Sequence, residues 1–262
     1  MVTTAGSLKT HADFRMLWAG NAVSQFGTRI GGIAAPLLAV SVLAATPFQV
    51  GLLNAVQTVG LLLIGLPAGA WVDRMRRRRL MISMDLTRMA LLATISVAGW
   101  LHVLTLGHLL VATLLVGIAT VFFDVSQLSY LPTLIGRDQL LEGNARLQAS
   151  QSVAVVAGPA LGGWLVSVVG AANTMLATSL GFLLSAGQIS RIAAVEPAPH
   201  AAAHRNLLAE IGEGLRLVFG QPTLRAIAGC TATVNLFLSI AITFNVLFLN
   251  RELGLSAGVT GF

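Results

Sequence analysis

Apolar residues fill runs of twenty or more positions, separated by short polar breaks, and the pattern recurs along nearly the whole chain. Each run is about as long as a helix must be to cross a hydrocarbon core, roughly 20 residues, and Leu, Ala and Gly dominate rather than the alternation of a barrel strand. The pattern predicts helices over 16–43, 48–72, 80–101, 106–129, 147–169 and 171–189, then a polar segment, then another helix over 224–249. Within the polar segment "EPAPHAAAH" reads as a linker, and "NLLAEIGEGLRLVF" sets Leu207, Leu208, Ile211, Leu215 and Val218 at helical spacing. That spacing predicts an amphipathic helix, which would lie along a membrane interface or be solvated as part of the linker. The chain therefore divides into a six-helix bundle over 1–189, a linker over 190–222 and the start of a second unit over 223–262.

Composition sharpens this reading, with 55% hydrophobic residues, 10% charged residues and a mean hydropathy of +0.82. Soluble domains carry about one quarter charged residues, so an all-α integral membrane protein with the lipid bilayer as its surroundings is implied. The first run starts near Phe14 and continues well past the apolar core of a signal peptide, so it is expected to be retained. Cys230 is the single cysteine and sits in an apolar run, where a buried, inert thiol is expected. The five histidines lack metal-binding spacing, and no phosphate-cradling Gly-rich loop is present, so neither a metal nor another cofactor is expected.

Basic residues are unevenly placed. The connections at 44–47, 102–108 and around Gly170 carry no Lys or Arg, whereas those at 74–79 and 137–146 are basic. The positive-inside rule then puts the basic ends and the N-terminus in the cytoplasm, in agreement with Lys9, Arg15 and Arg191. The net charge of +6 follows from this orientation, and no nucleic-acid partner is implied.

Sliding the chain on itself by about 210 residues aligns Phe14-Arg15 with Leu224-Arg225, Gln25-Phe26 with Asn235-Leu236, and Gly51-Leu52 with Gly261-Phe262. Parallel repeats of a two-half transporter have this signature. The expectation is one complete six-helix half plus the opening of the other, in a fragment or truncated product.

Two motifs carry a resemblance. In "GAWVDRMRRRRL", Gly69, Asp73, Arg74, Arg77 and Arg78 match Gly-x-x-x-Asp-Arg-x-Gly-Arg-Arg, with Arg76 at the second glycine's position. In "AGPALGG", Gly158, Pro159, Gly162 and Gly163 match a Gly-Pro-x-x-Gly-Gly element, with Ala154 replacing an upstream glycine. The first resembles the signature loop of the major facilitator superfamily and the second the antiporter element of its drug:proton exchangers. The opening "FRMLWAGNAVSQFGTRI" and "LPTLIGRDQLLEGNARLQ" are most similar to the enterobactin-exporter and macrolide-efflux branch. The resemblance implies a major facilitator N-terminal half followed by a seventh transmembrane helix, in the inner membrane. It also implies that Asp73 and Arg77 help latch the outward-facing state at the cytoplasmic side. The arginines would serve equally as topological anchors, and the small residues of the second motif as ordinary close packing.

Four ionisable residues fall inside predicted spans: Arg29, Asp85, Arg88 and Asp124. Charge there is costly, so each should face a cavity or a partner. Asp85 and Arg88, three apart, share a helix face and can pair. Arg29, with Gln25 and Asn21 at helical spacing, is the residue expected to meet an anionic or polar solute; snorkelling or structural pairing competes with that role. Asp124, read as near the cytoplasmic end of its span, is expected from the resemblance to pair with Arg77, and proton carriage is its other role. The favoured function is a secondary transporter, exporting a small amphipathic solute with the proton as coupling ion. A membrane-embedded enzyme or a non-transporting half-size scaffold competes, although no G-x-S-x-G elbow or catalytic carboxylate pair supports an enzyme.

Overall fold

The computed structural model describes residues 11–194, 196, 212, 216–234 and 237. The chain divides into two units, Met1–Ala201 and Ala202–Phe262. Among the described residues the first unit has six helices in chain order: α1 (Ala12–Leu43), α2 (Pro47–Asp73), α3 (Arg77–Trp100), α4 (Leu106–Ile135), α5 (Leu140–Val169) and α6 (Ala171–Ser190).

The helix starts are encoded locally. Thr46 and Gln49 form a capping box ahead of Pro47, which costs nothing at a position whose N–H would have no helical partner. Thr105 accepts from the His108 N–H at 3.2 Å, and His11 Nδ1 accepts from the Phe14 N–H at 3.2 Å. Two ends fall at glycines with positive φ, Gly136 at 73° and Gly170 at 84°, a region that side chains with a Cβ rarely enter.

α6 packs against α1 and α3, α4 against α2 and α3, and α5 against α1. One apolar cluster (Leu38, Leu53, Ile95, Leu109, Met175) fills the bundle away from the basic loops. A second (Phe14, Leu17, Met81, Phe123, Ile189) fills the basic end. Outward-facing side chains are also apolar, among them Phe48, Val156 and Leu184, as contact with lipid demands. Among the described residues α1, α3, α4 and α5 are long and apolar enough to cross a membrane. This multi-pass membrane protein is all-helical among its described residues, as expected.

Several expectations are corrected. α4 runs on to Ile135 through Pro132, and α5 starts at Leu140, so the connection expected over 130–146 is mostly helix. The expected end falls just ahead of Pro132, whereas the backbone continues as helix through that proline until Gly136 stops it. Cys230 is exposed, not buried: an apolar run in a membrane protein can turn its side chains outward. In the second unit 216–220 and 222–234 are helical. Leu207, Leu208, Ile211 and Leu215 of the expected amphipathic helix, and most of the expected repeat, lie outside the described residues.

At the basic end a short strap closes the first unit. After α6 the chain turns back so that Asp13 accepts from the N–H groups of Ala193 (3.0 Å) and Ala194 (2.9 Å). Glu196 then accepts from the N–H groups of Arg77 (2.7 Å) and Arg78 (3.2 Å), the first two residues of α3. α3 has no cap of its own, since Arg76 makes no side-chain bond there, and a carboxylate at a helix N-terminus satisfies donors that otherwise lack partners. Arg78 completes the clasp by donating to the carbonyls of Ile189 (3.2 Å) and Ser190 at the end of α6. Glu196→Ala is expected to cost about 0.5–2 kcal/mol, the usual range for a lost N-cap, read as a lower thermal midpoint of the purified protein.

Candidate functional site

A polar layer lies between the two apolar clusters. Arg88 is 11 residues into α3, about 16 Å along its axis, and Asp124 is 11 residues before the end of α4, so both sit near mid-depth. Arg88 and Asp85 form an ion pair at 1% and 0% side-chain exposure, as their spacing predicted. The Arg88 guanidinium also donates to Ser24 Oγ of α1 at 3.0 Å and to Thr120 Oγ1 of α4 at 3.4 Å. It stacks on two rings, with centroids at 4.5 Å (Phe123) and 4.3 Å (Phe182). A buried guanidinium is tolerable in this setting because its charge meets a carboxylate and its flat surfaces meet aromatic π-clouds.

Asp124 accepts from Gln25 Nε2 at 3.2 Å. The expected Asp124–Arg77 ion pair is absent: Arg77 instead contacts Asp73 at 3.3 Å, one helical turn away across the loop. The longer α4 explains the difference, because six further residues of helix place Asp124 well inside the bundle rather than level with the signature loop.

Beside this layer lies a cavity of about 250 Å³ between α1, α2, α3, α4 and α6. Its walls are mostly apolar (Leu92, Ile95, Val116, Met175, Phe182), with Thr28, Gln57, Thr120 and Asp124 supplying polar atoms. Asn21, Gln25, Arg29, Asp85 and Arg88, the residues expected at a solute site, do not line it. On α1 the cavity face is Gly27, Thr28, Gly31 and Gly32, and Arg29 lies one 100° step around the helix from Thr28. Asn21 and Gln25 are buried, and Arg29 is half-buried.

Arg29 lies over the second motif instead. A Cβ built on Gly158 would stand 2.5 Å from Arg29 Cβ, and one on Gly162 would stand 3.2 Å from Ile30 Cα, so α5 approaches α1 through these two glycines. Gly163 faces open space, with nothing within 4 Å. In the signature loop Gly69 is likewise uncrowded, and Asp73 is exposed.

The fold, the signature loop and the glycine contact between α1 and α5 now stand together with a match to the transmembrane secretion effector family over residues 3–259. The chain belongs to that family, within the major facilitator superfamily. Similar members of the superfamily include the multidrug efflux pump Tap of Mycolicibacterium fortuitum, 31% identical over 65% of this chain and 44% of that protein. Tap of Mycobacterium tuberculosis strain H37Rv is 29% identical over 71% of this chain and 46% of its own length. The enterobactin exporter EntS of Escherichia coli O127:H6 is 25% identical over 97% of this chain and 60% of its own length. The chain thus spans between 44% and 60% of these relatives. Like them, this chain is of a transporter family.

Sequence reasoning missed Thr28, Gln57 and Thr120, since a lone Thr or Gln in a span gives no signal until helix rotations are known. Glu196 was missed as well. Its trace in the sequence is indirect: a helix that starts on a run of arginines needs an acid from elsewhere.

Proposed function

We propose that this chain forms the first six-helix half of a secondary exporter, with residues 190–222 as the central linker and 223–262 opening a second six-helix repeat. Small amphipathic molecules leave the cell by alternating access about a midplane site, driven by inward proton flow. The observation that carries this reading is an acid, Asp124, at mid-depth of an apolar bundle, held by Gln25 and facing a cavity. A carboxylate in that position is costly unless it serves ion or solute movement. The multidrug and enterobactin exporters among the relatives support an export role.

In this scheme the Asp73–Arg79 loop is cytoplasmic. Asp73, Arg74 and Arg77, following Gly69, form the latch against the second half, and Gly158, Pro159 and Gly162 let α5 pivot closely on α1. Single cysteines at exposed Arg79 and Val103 test the orientation. A reagent that cannot cross membranes should label Val103→Cys in intact cells and leave Arg79→Cys untouched, and the reverse would invert the topology.

Function is tested with the protein expressed from its complete reading frame and reconstituted in liposomes preloaded with ethidium. An imposed pH gradient should speed dye movement, and an ionophore that collapses the gradient should abolish the gain. Equal flux in protein-free liposomes would end the exporter reading.

A further inference from the structure

α5 and α6 both pack on α1, and between them they leave a cleft. Its floor is Ala22, Phe26 and Ile30 of α1, and Val153 of α5 and Gly181 of α6 stand on its walls. Two lobes, of about 440 Å³ toward the basic end and about 410 Å³ beyond it, share Ala22 and Phe26 and so form one continuous space. Val153 and Ala177 are exposed, so the cleft opens to the outside of the bundle. The central cavity lies elsewhere around α1 and shares only Gly27 with it. On α1 the cleft runs from Trp18 to Ile30, 12 residues or about 18 Å of helix. One leaflet's hydrocarbon is about 15 Å deep, half of a core of ~30 Å, so the apolar length suits one acyl chain.

The basic end of the cleft suits a headgroup. Arg146 lines it, half-buried, and gives one guanidinium nitrogen to Glu142 at 2.6 Å. Arg15 lies 7 and 11 residues ahead of Ala22 and Phe26, on the face of α1 that forms the floor. Arg191 follows the last turn of α6. Arg15 and Arg191 are exposed, and neither makes an ion pair among the described residues. Besides Glu142 the acid at this end of α1, α5 and α6 is Asp13, which sits about 200° around α1 from Arg15 and is held by the amides of Ala193 and Ala194. Trp18 bridges α1 and α5, donating from Nε1 to Ser150 Oγ at 2.7 Å, so its ring is fixed at the mouth of the cleft. It lies 6 residues, or about 9 Å, into α1, at the interfacial depth that tryptophan favours. Arginines over an apolar slot of this length select a molecule that is anionic at one end and carries a single-leaflet chain at the other.

We propose that this cleft is a binding site for an anionic phospholipid, its phosphate held by Arg15 and Arg146 and one acyl chain laid along α1 between α5 and α6. Arg191 adds to the attraction at longer range. The leaflet that supplies the lipid, the cytoplasmic one, rests on the topology proposed above; the site itself rests on the first unit alone. A lipid seated there fills the gap between α5 and α6 and braces both against α1.

In the test, the full-length protein is reconstituted in phosphatidylcholine liposomes carrying a trace of phosphatidylglycerol, or of phosphatidylcholine, with a photoreactive diazirine in one acyl chain. After illumination, peptides that carry the lipid are mapped by mass spectrometry. The phosphatidylglycerol probe should mark the segments around Phe26 and Val153 several-fold more than the phosphatidylcholine probe does. Arg15→Gln with Arg146→Gln should lower that marking by about fivefold or more, whereas Arg15→Lys with Arg146→Lys should keep most of it. Ala177→Phe fills the cleft from its exposed wall and leaves the arginines in place; it should lower the marking too, and it decides the case should the glutamine pair fail to fold. Equal marking by the two probes, marking unchanged by the folded glutamine pair or by Ala177→Phe, or phosphatidylglycerol found only away from the cleft, as when the second half covers it, would each overturn the proposal. Labelling of Arg79→Cys from outside intact cells would overturn the proposed topology and leave the lipid site standing.

Discussion

Arg88→Met will destabilise the six-helix unit by about 3–5 kcal/mol, the range for removing one partner of a buried ion pair. The loss comes less from the vanished attraction than from what stays behind. Asp85 is fully buried, and without Arg88 its carboxylate is left with neutral serine hydroxyls, Ser24 at 3.4 Å among them. Phe123 and Phe182 also lose the flat cation that fills the space between them. The double variant Asp85→Leu with Arg88→Met removes both charges, and should recover most of the stability because apolar replacements of a buried pair are often neutral. Thermal unfolding of the purified single and double variants measures this. A double variant no more stable than Arg88→Met would show that Arg88 acts through its other partners and not through Asp85.

Gly158→Val gives the second large effect, about 1–3 kcal/mol of overpacking. The new Cβ would start 2.5 Å from Arg29 Cβ, inside any real contact distance, and both atoms belong to helical backbone positions that cannot swing aside. α1 and α5 must therefore separate. Gly163→Ala, five residues further along the same helix and facing open space, should change stability by under about 0.5 kcal/mol. The pair of measurements distinguishes close helix approach from a general intolerance of larger residues in the motif, which would lower both midpoints alike.

The order and type of the helices were legible because their apolar runs are long, and the Asp85–Arg88 pair was legible because a three-residue spacing fixes a shared face within one helix. Contacts between helices were not. Whether Asp124 meets Arg77 or Gln25 depends on where α4 stops, and the stop was placed six residues early because Pro132 hid the continuing helix. The placement of Arg29 failed for a related reason: faces on α1 differ by one residue step, and the sequence does not say which face turns toward the cavity. Gly158, Gly162 and Gly163 were all read as permitting close approach; the first two do so, against α1 at Arg29 and Ile30, while Gly163 faces open space.

The strap at the basic end also bears on how the protein is made. The first turn of α3 waits for its carboxylate cap until a residue 119 positions later has been synthesised. At translation rates of about 5–20 residues per second that interval is roughly 6–24 s, during which α3 enters the membrane with its leading amides and its cluster of arginines unclasped. The same late segment secures Asp13 at the start of α1, so the earliest and the third helices are locked by one event, after α6 has left the ribosome. A ribosome stalled before Glu196 would hold a nascent bundle whose basic end is still open to chaperones and proteases, and the codons for Ile192 to Glu196 mark the point at which that exposure ends.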